Sequence, residues 1–105
     1  MNTFNKTILI GRVVRKPELS QLKDDIMATF TLTNSTVKDG REEVQYHRVR
    51  AFGNCARQCA EHLEPKDLVC VEGRLNRKKD GRLDSVIVER MTFLAKGKLR
   101  ETPEC

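Results

Sequence analysis

Between Ile26 and Asn34 the side chains alternate without a break. Ala28, Phe30 and Leu32 fall on one side; Thr29, Thr31 and Thr33 fall on the other. Successive residues of an extended strand point to opposite faces. A period of two therefore describes a strand with one face in an apolar core and the other in water. A helix would scatter the same residues around its circumference. This stretch commits the chain to a sheet, and its neighbours say which kind.

Before it, Thr7 to Arg15 is rich in β-branched residues (Ile8, Ile10, Val13, Val14) and Pro17 stops it, which reads as a first strand. After it, Lys38-Asp39-Gly40-Arg41 predicts a tight hairpin, because Asp-Gly tolerates the positive φ such a turn demands. The third strand runs from about Val44 to Phe52. Gly53-Asn54 breaks it, with Asn54 as the candidate N-cap. From Cys55 to Leu63 the spacing turns helical, with Cys55, Cys59 and Leu63 on one stripe and Ala56 and Ala60 beside it; Pro65 ends this short helix. Leu68–Asn76 and Leu83–Leu94 read as two more strands around a second Asp-Gly turn, Lys79-Asp80-Gly81-Arg82. Gly11 and Gly73 sit inside strands and predict a bend or a close backbone approach.

Three strands, a short helix and two strands is the order of an OB-fold. The expected architecture is all-β: a five-stranded Greek-key OB-fold barrel with the helix between strands 3 and 4. The 105 residues suffice for one domain, placed at 1–95, with 96–105 a short polar C-terminal tail expected to fray.

Lys and Arg total 20 against 15 Asp and Glu, and the net charge of +5 suits a polyanionic partner. No apolar run approaches the ~18 residues of a membrane span. Met1 to Lys6 lacks the apolar stretch of a signal peptide, so a cytoplasmic, nucleoid-associated location is expected. Four cysteines stand at 55, 59, 70 and 105 with no CxxC spacing. Cys55, Cys59 and Cys70 read as core packing and Cys105 as an exposed thiol. Cys55, Cys59 and His62 lack a fourth ligand and the usual metal spacing. No metal, cofactor or catalytic residue is expected, and no GxSxG, P-loop or HExxH pattern occurs.

The most informative stretch is Tyr46-His47-Arg48-Val49-Arg50-Ala51-Phe52. By alternation Val49 and Ala51 belong to the core. The opposite face then carries Tyr46, Arg48, Arg50 and Phe52: two rings bracketing two guanidiniums. Unpaired bases offer flat faces on which rings can stack, and Arg neutralises phosphate. The competing reading is a solvated strand face whose rings pack on neighbouring side chains. A second candidate is the Arg74-Asn76-Lys78 stripe leading into Lys79 and Arg82, with Arg77 beside it, either an electrostatic clamp on a nucleic-acid backbone or a hairpin tip charged for solubility. Arg12, with Arg15 and Lys16, forms a third cluster.

These segments resemble the bacterial single-stranded-DNA-binding protein family. The likeness rests on Ile8-Leu9-Ile10-Gly11-Arg12, Lys16-Pro17-Glu18-Leu19, Tyr46-His47-Arg48-Val49, Ala51-Phe52-Gly53 and Val71-Glu72-Gly73-Arg74-Leu75, in the family's order over about residues 5 to 95. The resemblance implies an OB-fold that coats single-stranded DNA in replication, recombination or repair. It implies a homo-oligomer, with a tetramer favoured and a dimer possible. It puts Tyr46 where the family often stacks a Trp, Phe52 at a stacking Phe, Arg48 at a basic position and His47 near subunit contacts. Three departures stand out. The chain has no Trp, with Val37 near one stacking position and Lys78 and Lys79 near another, so charge should outweigh stacking. Glu101–Cys105 does not reproduce the family's acidic tip, and partner recruitment through such a tip is not expected. Other readings of the same fold are an accessory factor like primosomal replication protein N, an RNA-binding domain or a protein-interaction barrel.

Overall fold

The structure is a computed structural model that describes residues 4–95. Its elements are β1 (Thr7–Val13), β2 (Glu18–Gln21), β3 (Ile26–Lys38), β4 (Arg41–Phe52), α1 (Gly53–His62), β5 (Leu68–Arg77) and β6 (Leu83–Ala95). The strands follow the order β1-β5-β6-β4-β3-β2, and a further pairing of β1 with β3 closes the first five into a barrel. The pairings are antiparallel except for the short parallel contact of β4 with β6 at Val49–Val86 and Arg50–Ile87. This is the expected five-stranded barrel with its helix inserted after the hairpin. The expected 96–105 tail lies outside the described residues.

The alternating stretch explains the core. Ala28, Phe30 and Leu32 of β3 meet Val49 and Ala51 of β4, Val69 and Val71 of β5, and Val86 and Met91 of β6, all buried. Helix α1 covers one end of the barrel with Ala56 and Cys59, and Leu63 follows at its C-cap; three-four spacing puts all three on the inner side. The chain then turns through Lys66, whose φ is +76°, and Asp67. This segment is tied to the end of β1, because the Val13 N–H donates to the Asp67 carbonyl and the Lys66 N–H to the Val13 carbonyl.

The two glycines inside strands mark close approaches. A Cβ on Gly11 would lie 2.5 Å from the Thr33 carbonyl oxygen, and one on Gly73 only 2.0 Å from that of Ile87. Asp39 and Gly40 both have positive φ between the paired Lys38 and Arg41, the two-residue turn expected of Asp-Gly. The second Asp-Gly turn is different. Its loop is held by the Lys78 N–H on the Arg82 carbonyl and the Gly81 N–H on the Lys78 carbonyl, which makes it longer than a two-residue turn. From Ser35 and Gln45 outward, β3 and β4 continue as an exposed two-stranded arm beyond the barrel.

One strand went unread and two expectations need correction. The strand at Glu18–Gln21 gives no alternation to read, since all four residues are exposed on the outer edge of β3. The helix begins at Gly53 with Phe52 as its N-cap and no side-chain cap, so Asn54 lies within the helix and does not cap it. Cys70 is not a core residue. Its neighbours Val69 and Val71 take the inner positions, and Cys70 stands half-buried on the outer face between Ile10 and Thr92.

Candidate functional site

With Val49 and Ala51 sealed in the core, alternation turns Tyr46, Arg48, Arg50 and Phe52 to the outside of β4. The register of β3 sets a small hydroxyl beside each of the first three: Thr33 opposite Tyr46, Thr31 opposite Arg48 and Thr29 opposite Arg50. Small neighbours leave the larger groups standing clear of the sheet. Tyr46 is 69 % exposed and Phe52 is 36 % exposed. The two rings are six positions apart, about 20 Å along an extended strand.

Tyr46 and Arg48 form a ridge with a depression on each side. One lies between β4 and β6 and is bordered by Thr31, Lys78 and Asp84. The other faces the end of β1 and is bordered by Arg15, Lys16 and Thr29. Basic groups therefore flank the exposed ring from two directions, which sequence order did not reveal. His47 turns back towards β3, 3.4 Å from the Asn34 side-chain oxygen.

The remaining candidates are dispersed. Lys78 joins the first depression, while Lys79 is exposed at the tip of the β5–β6 loop. Arg77 donates to the Gly81 carbonyl at 3.1 Å within that loop. Arg82 lies 3.7 Å from Asp80, and Arg74 lies 3.8 Å from Glu89 on the barrel surface. Arg12 stands apart. It donates to the Lys66 carbonyl at 2.8 Å and borders a separate depression with Ile10, Asn34 and Val44. The cluster of Arg12, Arg15 and Lys16 is thus split, with its last two members on the Tyr46 side.

One residue of this surface escaped the sequence reading. Asp84, at the start of β6, accepts from Arg50 Nη1 at 2.8 Å and from the Ser85 hydroxyl at 3.0 Å, and lies 3.9 Å from Arg48 Nη1. The Ser85 hydroxyl is the main cause holding the Asp84 carboxyl below the usual carboxylate range. Partial burial works against it, and the charges of Arg50, Arg48 and Lys78 add to the downward pull. Arg50 is the least exposed of the four outward residues of β4 and is committed to this pair. No local sequence signal could have found the contact, because the partners are 34 positions apart.

The surface offers stacking and charge. Among the described residues, no group of three His, Cys, Asp or Glu side chains is placed to hold a metal ion.

Comparison with known proteins adds to this geometry. Residues 4–94 match the model of the Single-strand binding protein family. The chain is 31 % identical over 106 aligned residues to Single-stranded DNA-binding protein 2 of Clostridium acetobutylicum, covering 90 % of this chain and 80 % of that protein. It is 34 % identical over 85 residues to the Single-stranded DNA-binding protein of Thermotoga maritima, covering 75 % of this chain and 60 % of that protein. Among solved structures, it superposes with a TM-score of 0.79 on a chain of the Plasmodium falciparum SSB in complex with ssDNA. That likeness is 22 % identical and covers 90 % of this chain and 98 % of that one. At this identity it speaks for the shared barrel.

Proposed function

The chain belongs to the Single-strand binding protein family, and from that membership and the outer face of β4 we propose that it captures single-stranded DNA passively and without sequence preference. It is a binding protein and not an enzyme, as its family implies. The observation that carries the reading is the exposed Tyr46 ring standing beside Arg48, with Lys78 on one flank and Arg15 and Lys16 on the other. A base freed from pairing can lie on the ring while its phosphates run over the basic flanks. Every base has a π-face, so little sequence discrimination follows. Phe52 supplies a second stacking point at the far end of the strand. Arg74, Arg77, Lys79 and Arg82 add positive potential around the β5–β6 loop, and Arg12 supplies it on a different side of the barrel.

Work in replication, recombination or repair fits such capture, and so does a place in the cytoplasm at the nucleoid. No helix among the described residues is long and apolar enough to cross a membrane. Residues 1–95 act as the binding domain and 96–105 as an appended tail.

We infer that the chain works as a homo-oligomer, a tetramer in preference to a dimer. Two features support a self-association surface. Thr7–Ile10 of β1 pair with β5 on one side and, among the described residues, have no strand on the other. Ile8 and Ile10 are 58 % and 53 % exposed on the outer face of that edge. An apolar strand edge left open is a template for pairing with a second copy.

The test is a titration of long oligo-dT, matched RNA and matched duplex against the protein at several salt concentrations. Tyr46 is the only Tyr and Trp is absent, so intrinsic fluorescence reports directly from the ridge. Tight, salt-sensitive binding of oligo-dT with quenching is expected, with much weaker duplex binding. Preference for RNA, or no binding at low salt, would overturn the reading.

A further inference from the structure

Most acidic groups near the basic candidates sit in loose, exposed pairs such as Arg74–Glu89 and Arg82–Asp80. Asp84 differs. It is the one carboxylate among the described residues bordering the depression between Tyr46, Arg48 and Lys78, and its side chain is only 11 % exposed. A carboxylate there stands where a surface built for a polyanion should repel one.

Its contacts divide the two arginines of β4. Arg50 Nη1 donates to Oδ2 at 2.8 Å, and Asn76 Nδ2 approaches the same oxygen at 3.4 Å. Arg50 Nε is buried with no acceptor, so this guanidinium lies sunk against the sheet and depends on Asp84 for its pairing. Arg48 is twice as exposed and its Nη1 is 3.9 Å from Oδ1, beyond hydrogen-bond reach. One contact is closed and hard to replace; the other is open and loose.

We propose that Asp84 is a built-in stand-in for a backbone phosphate: it keeps Arg50 out of the DNA-contacting set and holds Arg48 in partial check, so that a bound strand gains the full charge of Arg48 only in competition with the carboxylate. This rests on the single-stranded-DNA reading above. Arg50 is then a positioning residue that fixes Asp84 against β4. The carboxylate cancels one of the three positive charges offered by Arg48, Arg50 and Lys78. Fewer counterions are displaced on binding, the salt dependence is shallower and release is faster. Asp84 limits affinity in favour of turnover.

Asp84→Asn keeps an oxygen for Arg50 Nη1 and removes the charge. Titrated with long oligo-dT across a salt series, it is expected to bind about three- to tenfold tighter than the parent at low salt. The slope of log K against log salt should steepen by about 0.7, one extra phosphate neutralised. Equal or weaker binding with an unchanged slope, in a variant that melts as a folded protein, overturns the inference while parental binding leaves the DNA reading intact. If the parent fails to bind at low salt, the DNA reading falls and the inference falls with it, whatever the variant does. Should Asp84→Asn fail to fold, the arginine side-chain Nε–Hε resonances of the parent decide. On adding oligo-dT the Arg48 signal is expected to shift and the Arg50 signal to stay. Equal shifts at Arg50 overturn the assignment.

Discussion

Gly73→Ala tests whether the approach of β5 to β6 is as tight as the structure shows. The added methyl would lie 2.0 Å from the Ile87 carbonyl oxygen and 2.9 Å from its carbon. A carbon needs about 3.3 Å from such an oxygen, so the two strands must part by roughly 1.3 Å. The obstacle is backbone in the middle of a sheet, where no rotamer change can give way. The pairing is irregular between Glu72 and Gly73, so the local geometry is already specialised. Overpacking costs about 1–3 kcal/mol, and with backbone as the obstacle this case lies near the upper end, ~3 kcal/mol, of which the usual gain of replacing Gly by Ala, ~0.5–1 kcal/mol, recovers only part. A net loss of about 2 kcal/mol in a domain of this size corresponds to a drop in Tm of about 8–16 °C. Thermal unfolding followed by far-UV circular dichroism measures it. Gly40→Ala is the internal control. It has φ +74° at an exposed turn with nothing within 4 Å of the added carbon, and should cost only the strain of a left-handed residue, ~1 kcal/mol. If Gly73→Ala melted no lower than Gly40→Ala, the close approach would be refuted.

Other outcomes follow from the surface. Tyr46→Ala should weaken oligo-dT binding by ~1 kcal/mol or more, at least fivefold, with an unchanged Tm; equal titration curves would remove the ring from the site. The folded-state pKa of Asp84 is depressed, so its contribution to stability is present above the ordinary carboxylate pKa and lost as pH falls through the folded value. Urea unfolding should therefore show any advantage of the parent over Asp84→Asn complete at neutral pH and shrinking below about pH 4; a constant difference into stronger acid would argue against it. Ile10→Glu on the open β1 edge should shift native mass towards the monomer without lowering far-UV ellipticity, and an unchanged mass would move the interface elsewhere.

The barrel was legible because its signals are local. Period-two alternation at Ala28, Phe30 and Leu32 named inner positions that are almost fully buried, and the same rule placed Val49 and Ala51 inside. Gly11 and Gly73 were readable as close approaches because a strand interior rarely gains from losing a side chain. What escaped depends on register between distant strands. Cys70 looked like a small apolar filler, yet the phase of Val69 and Val71 sends it outward. Asn54 has good capping chemistry, but the helix starts one residue earlier, at a glycine with φ +64°. Arg12 and Arg15 are near in sequence and border different depressions, because Arg12 stands where β1 is paired to both β5 and β3, whereas Arg15 follows the end of β1. Asp84 reaches Arg50 only because β6 lies parallel to β4 at Val49 and Arg50, a pairing no local motif announces.

The separation of Tyr46 from Phe52 sets a minimum size for a fully engaged ligand. At the ~3.4 Å spacing of stacked nucleotides, the gap of about 20 Å spans roughly six bases, and a stretched strand needs fewer. Oligonucleotides of two or three residues can touch one ring only, whatever their concentration. Affinity plotted against chain length should consequently rise in a step and not as a smooth ramp, with the step at the length that first bridges both ends of the strand.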